Sequence, residues 1–344
     1  MTSGYVGRRR LAQIPDACRL SHEYCYFLHD QCVRLLIEYE VRNATTVKVK
    51  FRNRKERTAF TAPGVHPLDA LIAMGRKEEA RRVALNQVTM AMVSDALLHV
   101  FEALACMEKR KTIVALNLLR KPLTDSLIFL CWMLGDEDDF YATFAGGDVE
   151  SLSANKLGNR RKAIIEAAVV SLAPEDRING EWIWSSLFDS KNPEGLYAHF
   201  QKAVHLVTIQ KAELRTEAEN FNFIFKNPSD DDIYHAVYWY LPPLLDFLAH
   251  VIMGLFERIR AMDKGARTAF DIRSRLGLKL VEGGPPVQDV CDILQSTLGR
   301  TFSCPKCRAP FHVTPHNAAR LTLSESYRCP ACRRVQPFPF SWLF

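Results

Sequence analysis

Two cysteine pairs near the C-terminus constrain this chain more than any other feature: Cys304-Pro305-Lys306-Cys307 and Cys329-Pro330-Ala331-Cys332, with 21 residues (308–328) between them. Proline after the first cysteine presets a tight turn in which the following amides can point at sulfur. Two such turns supply four thiolates, the donor set of a closed tetrahedral site of the structural kind. The sequence therefore predicts one structural Zn²⁺ held by Cys304, Cys307, Cys329 and Cys332. Only about 45 residues surround the pairs, too few for a self-sufficient core, so the metal must supply much of that fold. His312 and His316 lie between the pairs and are the alternative ligands should one thiolate be replaced.

The spacing resembles zinc ribbons as a class, over residues 300–344 only. That resemblance implies contact with nucleic acid or with other proteins. Lys306, Arg308, Arg328, Arg333 and Arg334 are interleaved with Phe311, Tyr327, Phe338 and Trp342, a mixture suited to phosphate contact and base stacking. Short strands are expected at 311–313 and 321–323.

The other six cysteines (18, 25, 32, 106, 131 and 291) lie in apolar or helical stretches and form no disulfide framework, which suits a reducing cytoplasm. No secretory signal is legible, because 11–16 interrupts the run after Arg8-Arg9-Arg10. The most apolar stretch, 241–259, carries Pro242, Pro243, Asp246, His250 and Glu257, a poor load for lipid. A cytoplasmic protein with no membrane partner is the expectation, and self-association stays open. The net charge of +6 is uneven. Residues 1–60 hold twelve Lys/Arg against six Asp/Glu, and 300–344 seven against one, so each end carries a surplus of six and the middle is acidic. Such ends suit an anionic partner, nucleic acid or an acidic protein surface, or else they dock on the body.

The reading of the whole is mainly α: an irregular helical bundle over 1–285, a linker and short helix over 286–299, and a small β zinc ribbon over 300–344. Helices are expected at 16–42, 68–107 with a break at Gly75, 112–134 kinked at Pro122, 136–144, 157–172 and 193–210, with a loop through Pro174 leading to a Trp-rich segment at 182–188. Ser229 followed by Asp230-Asp231-Asp232 predicts the start of a largely apolar helix running to 262 and bent at Pro242-Pro243. Residues 45–52 alternate strictly, predicting a short strand or extended arm whose outer face is basic (arm 45–57). Gly283-Gly284-Pro285-Pro286 reads as the linker.

Cys18, His22, Cys25, His29 and Cys32 share one helix face, a pattern read as core packing rather than a second metal site. For acid–base chemistry the candidates are Asp246 and His250, one turn apart, together with His205. No phosphate-binding glycine loop, nucleophile elbow or His-Glu-x2-His motif is present. Residues 118–125 (Leu118-Leu119-Arg120-Lys121-Pro122-Leu123-Thr124-Asp125) and 197–205 resemble segments of bacterial helical proteins, some of them linked to abortive-infection-type phage defence. That resemblance implies a helical bundle with a polar pocket, placing Arg120, Asp125 and His205 in it, and assigns no reaction. The preferred expectation is a non-enzymatic prokaryotic protein whose ribbon contacts nucleic acid or a protein partner while the body senses or scaffolds. The alternative is a nuclease or hydrolase with its pocket around His205, Asp246 and His250 and the ribbon positioning substrate.

Overall fold

The computed structural model describes residues 1–147, 149–172, 179–209, 215–223 and 227–343. Among these, helices dominate and one two-stranded antiparallel sheet lies near the C-terminus. The chain runs α1 (Arg19–Val41), α2 (Arg54–Phe60), α3 (Pro67–Ala73), α4 (Lys77–Met107), α5 (Thr112–Arg120), a π turn (Lys121–Ser126), α6 (Leu127–Gly135), α7 (Glu137–Ala145), α8 (Ala154–Leu157) and α9 (Arg161–Leu172). It continues through α10 (Gly180–Leu187), α11 (Leu196–Val204), α12 (Asp232–Ile259), α13 (Lys264–Glu282), α14 (Pro285–Leu298), α15 (Pro315–Ser324), β1 (Ser326–Arg328) and β2 (Val335–Pro337). Pro174 and Gln210 lie outside the described residues.

The centre is built from α1 against α12, with α4 and α13 alongside. Helix α12 is apolar nearly all round, buries residues from Ile233 to Phe256, and takes Pro242-Pro243 inside it without ending. By length and composition α4 and α12 could each cross a membrane, a test that core helices also pass; in the fold 78% of the apolar window of α12 is buried, against 39% for α4. The break at Gly75 is real: its φ of +72° is a left-handed turn that glycine adopts without strain. Pro122 is absorbed by one widened π turn between α5 and α6, because proline offers no N–H to the regular ladder.

Several expected elements differ. Residues 46–51 keep the alternation, with Val47, Val49 and Phe51 half-buried and Lys48, Lys50 and Arg52 exposed, but they pair with no strand and form the extended arm. Asn53 then caps α2, its side chain accepting from the Glu56 N–H at 2.9 Å. Ser229 does not cap α12; the Asp230 carboxylate accepts the Asp232 N–H at 2.9 Å instead. Segment 321–323 is the last turn of α15, not a strand. Segment 311–313 does not enter the sheet because side chains take its backbone groups: Gln295 of α14 accepts from Val313 N–H (2.8 Å), and Tyr327 Oη accepts from His312 N–H (3.1 Å).

The C-terminal module is seated on the body by a buried cation. Arg273 of α13 donates to the carbonyls of Thr322 (2.7 Å) and Leu323 (2.9 Å), the negative end of α15, and lies over the ring of Phe27. At the N-terminus, the buried Glu23 carboxylate of α1 accepts from Ser3 N–H (2.5 Å) and Val6 N–H (3.2 Å), while Ser324 Oγ donates to Ser3 O (3.0 Å). The N-terminal segment and the C-terminal module thus both pack on the bundle. Gly277 marks the point where α13, α1 and α15 meet: a methyl group there would lie 2.5 Å from Cε2 of Tyr24 and 3.2 Å from Cδ2 of Leu323. The Tyr24 ring cannot retreat, since its hydroxyl is engaged by Asp246 (2.8 Å) and Ser274 O (2.9 Å). Gly277→Ala is expected to destabilise the fold by about 2 kcal/mol through overpacking, read as a lowered thermal midpoint; an unchanged midpoint would show that these three helices do not meet as described.

Candidate metal centre

Each cysteine pair closes the same turn. Cys304 N–H donates to Ala309 O (2.9 Å) and Arg308 N–H to Cys304 O (2.8 Å); in the second knuckle Cys329 N–H donates to Arg334 O (3.0 Å) and Arg333 N–H to Cys329 O (2.9 Å). The residue after each second cysteine is left-handed, Arg308 at φ +58° and Arg333 at +60°. The Sγ atoms of Cys304 and Cys332 lie 3.8 Å apart, those of Cys307 and Cys329 3.6 Å apart, and all four within 4.8 Å of one another. Sulfurs each about 2.3 Å from a tetrahedral zinc would lie about 3.8 Å apart. The four cysteines can therefore hold a single metal ion, and both donor set and size are compatible with zinc.

The N–H groups of Cys307 and, less strongly, Lys306 point at the Cys304 sulfur and, against its burial, lower that thiol to about 6. Cys304 and Cys329 are buried, Cys332 is half-buried and Cys307 is exposed, so one edge of the cluster reaches solvent. His312 and His316 are not part of the cluster.

Behind the sulfurs sits an aromatic core. Phe311 stacks on Tyr327 with ring centres 4.0 Å apart, and Phe338 packs on Phe302 (5.0 Å) and Phe311 (5.4 Å). Phe311 and Tyr327 are buried and Phe338 half-buried, so these rings fill the module; Trp342, 84% exposed, is the one ring of the four expected to stack that stands free. Asn317 of α15 ties the helix to the sheet: its Nδ2 donates to Arg328 O (3.1 Å) and its Oδ1 accepts from Arg328 N–H (3.0 Å). The cations behave differently. Lys306, Arg308, Arg333 and Arg334 are exposed, Arg328 is half-buried, and none of the five has an ion-pair partner among the described residues.

In the body, Asp246 and His250 come together, Nε2 to Oδ1 3.8 Å, but in a closed network. His250 Nε2 meets Ser274 Oγ at 3.2 Å and its Nδ1 lies 3.7 Å from Asp271, both on α13. Each of the pair is 4% exposed. His205 is exposed at the end of α11, Asp125 is exposed on the π turn, and Arg120 is half-buried where α5 meets that turn; no hydrogen bond or ion pair joins these three to Asp246 or His250 among the described residues. Lys121 pairs with Asp95 of α4 rather than with Asp125 (2.8 Å). The α1 stripe is mainly packing, with polar contacts at His22 and at His29, whose Nδ1 lies 2.8 Å from Asp30. Burial pushes the Cys32 thiol up to about 12, while His22 bridges Tyr238 Oη (2.5 Å) and Glu108 (3.3 Å). Glu108, though burial alone would raise it, is held at about 2 by His22, Arg10 and Tyr26.

Comparison of the chain with known protein families, with curated proteins and with solved structures finds no match. No relative therefore assigns a role to the segments 118–125 and 197–205.

Proposed function

We propose that this is a zinc-binding, non-enzymatic protein whose metal-held C-terminal module presents a cationic face to the phosphate backbone of nucleic acid, with the helical body as its scaffold. The supporting observation is the placement of Arg308 and Arg333. A non-glycine residue in the left-handed region costs about 1 kcal/mol or more, and glycine would remove that strain at both knuckles. The strained positions instead hold guanidinium groups, flanked by Lys306 and Arg334, all four exposed and free of carboxylate partners among the described residues. Arginine forks match phosphate oxygens two at a time. With Phe311 and Tyr327 packed inside, base stacking falls away as a general mode, and the contact is electrostatic and insensitive to sequence. The acid–base pocket of the alternative reading gains no support, since Asp246 and His250 are engaged within the core.

The double variant Arg308→Gly/Arg333→Gly separates charge from fold. Its thermal stability should match or exceed wild type, because relief of left-handed strain offsets the freedom that glycine adds to the unfolded chain. Duplex DNA affinity should fall, with the slope of log K against log salt reduced by about two. Salt-independent DNA binding, or binding that ignores this variant, would overturn the nucleic-acid reading; salt-dependent binding to a polyglutamate chain but not to DNA would transfer the face to an acidic protein partner.

A further inference from the structure

A cleft of about 660 Å³, lined by none of the residues invoked above for the metal module, opens between the start of α1 and helices α10, α12 and α13. Trp182, Tyr238, Trp239 and His235 form an aromatic part of its wall, beside Pro243, Leu278 and Val281. Trp182 is held in place by stacking on Tyr240 (ring centres 5.7 Å). Tyr238 offers its ring rather than its hydroxyl, which is taken by His22. Trp239 stands 72% exposed, a large apolar surface to leave in water at the mouth of a cavity.

The charge of the lining is unusual for this chain. Among the described residues no Lys or Arg lines the cleft, and the carboxylate in its lining is Glu282. Glu282 is the last residue of α13, where the helix dipole already points its negative end and a carboxylate is disfavoured. It has no cationic partner among the described residues. The one thiol in the wall, Cys18, lies 3.8 Å from His235 Nδ1, and burial pushes it up to about 11, so it stays neutral and adds no second anion. A carboxylate, indole rings and a lining free of Lys and Arg among the described residues together suit a positively charged ligand.

We propose that this cleft binds a small organic cation of the alkylated-ammonium type, its charge lying against the indole faces of Trp182 and Trp239 with Glu282 as counter-ion. A compact metal ion would need a cage of oxygens that one carboxylate does not make. A bulky, weakly hydrated ammonium gives up little water and gains both the ring faces and the carboxylate.

The test uses the full zinc-loaded chain, choline as probe, and 3,3-dimethylbutan-1-ol as its uncharged isostere, read by tryptophan fluorescence and by calorimetry. Choline should bind saturably and about tenfold more tightly than the alcohol. Trp239→Ala and Glu282→Gln should each weaken choline by about tenfold, whereas Trp239→Phe keeps most of the affinity and Trp342→Ala keeps all of it. Trp239 and Glu282 are exposed, so these variants should fold as wild type. Equal binding of the two probes, no saturable signal at millimolar choline, or full affinity in both Trp239→Ala and Glu282→Gln would overturn the proposal.

Discussion

Removing the metal, by a strong chelator or by Cys304→Ser, will unfold the C-terminal module and cost on the order of 10 kcal/mol of its stability. The knuckles have little else to hold them. Their turns close on four backbone hydrogen bonds, both contain a strained arginine, and the β1–β2 sheet has three residues in each strand. The aromatic group around Phe311 and Tyr327 is small, and its packing depends on the sulfurs holding residues 304–307 and 329–332 together. Most of the continuous core is contributed by residues from Val6 to Leu298, so the helical body should keep its helical circular dichroism. The expected record is therefore split: fast amide exchange across the knuckles and β1–β2, with protection retained in α1, α6 and α12. Cooperative loss of the whole fold on chelation would mean that the module and the body are one unit; no change at all would mean that the metal is dispensable.

Arg273→Ala is expected to cost about 3 kcal/mol, since each of the two hydrogen bonds from the charged guanidinium is worth about 1.5–3 kcal/mol and the carbonyls they leave are buried. Arg273 is 5% exposed, and burial lowers its pKa although Glu325, 3.6 Å away, favours the charge. A cation is tolerated there because it meets the last-turn carbonyls at the C-terminal end of α15, the ring of Phe27 and Glu325 at once. Without it α15 loses its main tie to α13. The metal site should survive, so the variant should still bind metal while α15 exchanges faster and the melt shifts downward. Arg273→Lys should fall between, keeping the charge but losing the forked pair of bonds. An Arg273→Ala protein as stable as wild type would show that the module is not anchored through this residue.

What could be read from the sequence follows the strength of local signals. The metal cluster was legible because four cysteines in two Cys-Pro-x-Cys turns leave almost no other geometry. Helix α12 was legible as an apolar run, and the breaks at Gly75 and Pro122 as local backbone chemistry. Helix α13 was not, because its buried face runs through Arg273, Ser274 and Gly277 and so shows no clean apolar stripe. Those same residues seat the C-terminal module. Helix α15 was mistaken in part for a strand at Leu321-Thr322-Leu323, although Thr314-Pro315 carried a start signal: the Thr314 side chain accepts from Asn317 N–H at 3.3 Å and Pro315 takes the first helical position. The aromatic residues of the module looked like a stacking surface because sequence does not show which face of a small module is its inside. The cleft could not be seen at all, since Trp182, Trp239 and Glu282 come from three separate helices that only the packing brings together.

Four cysteines acting as one structural metal site hold the C-terminal module together, and the mass of the folded chain tests this directly. Native mass spectrometry of the protein purified without added chelator should show one zinc per chain, retained in Arg308→Gly/Arg333→Gly and lost in Cys304→Ser. A folded wild-type chain with no stoichiometric metal, or a Cys304→Ser chain that keeps its zinc, would contradict it.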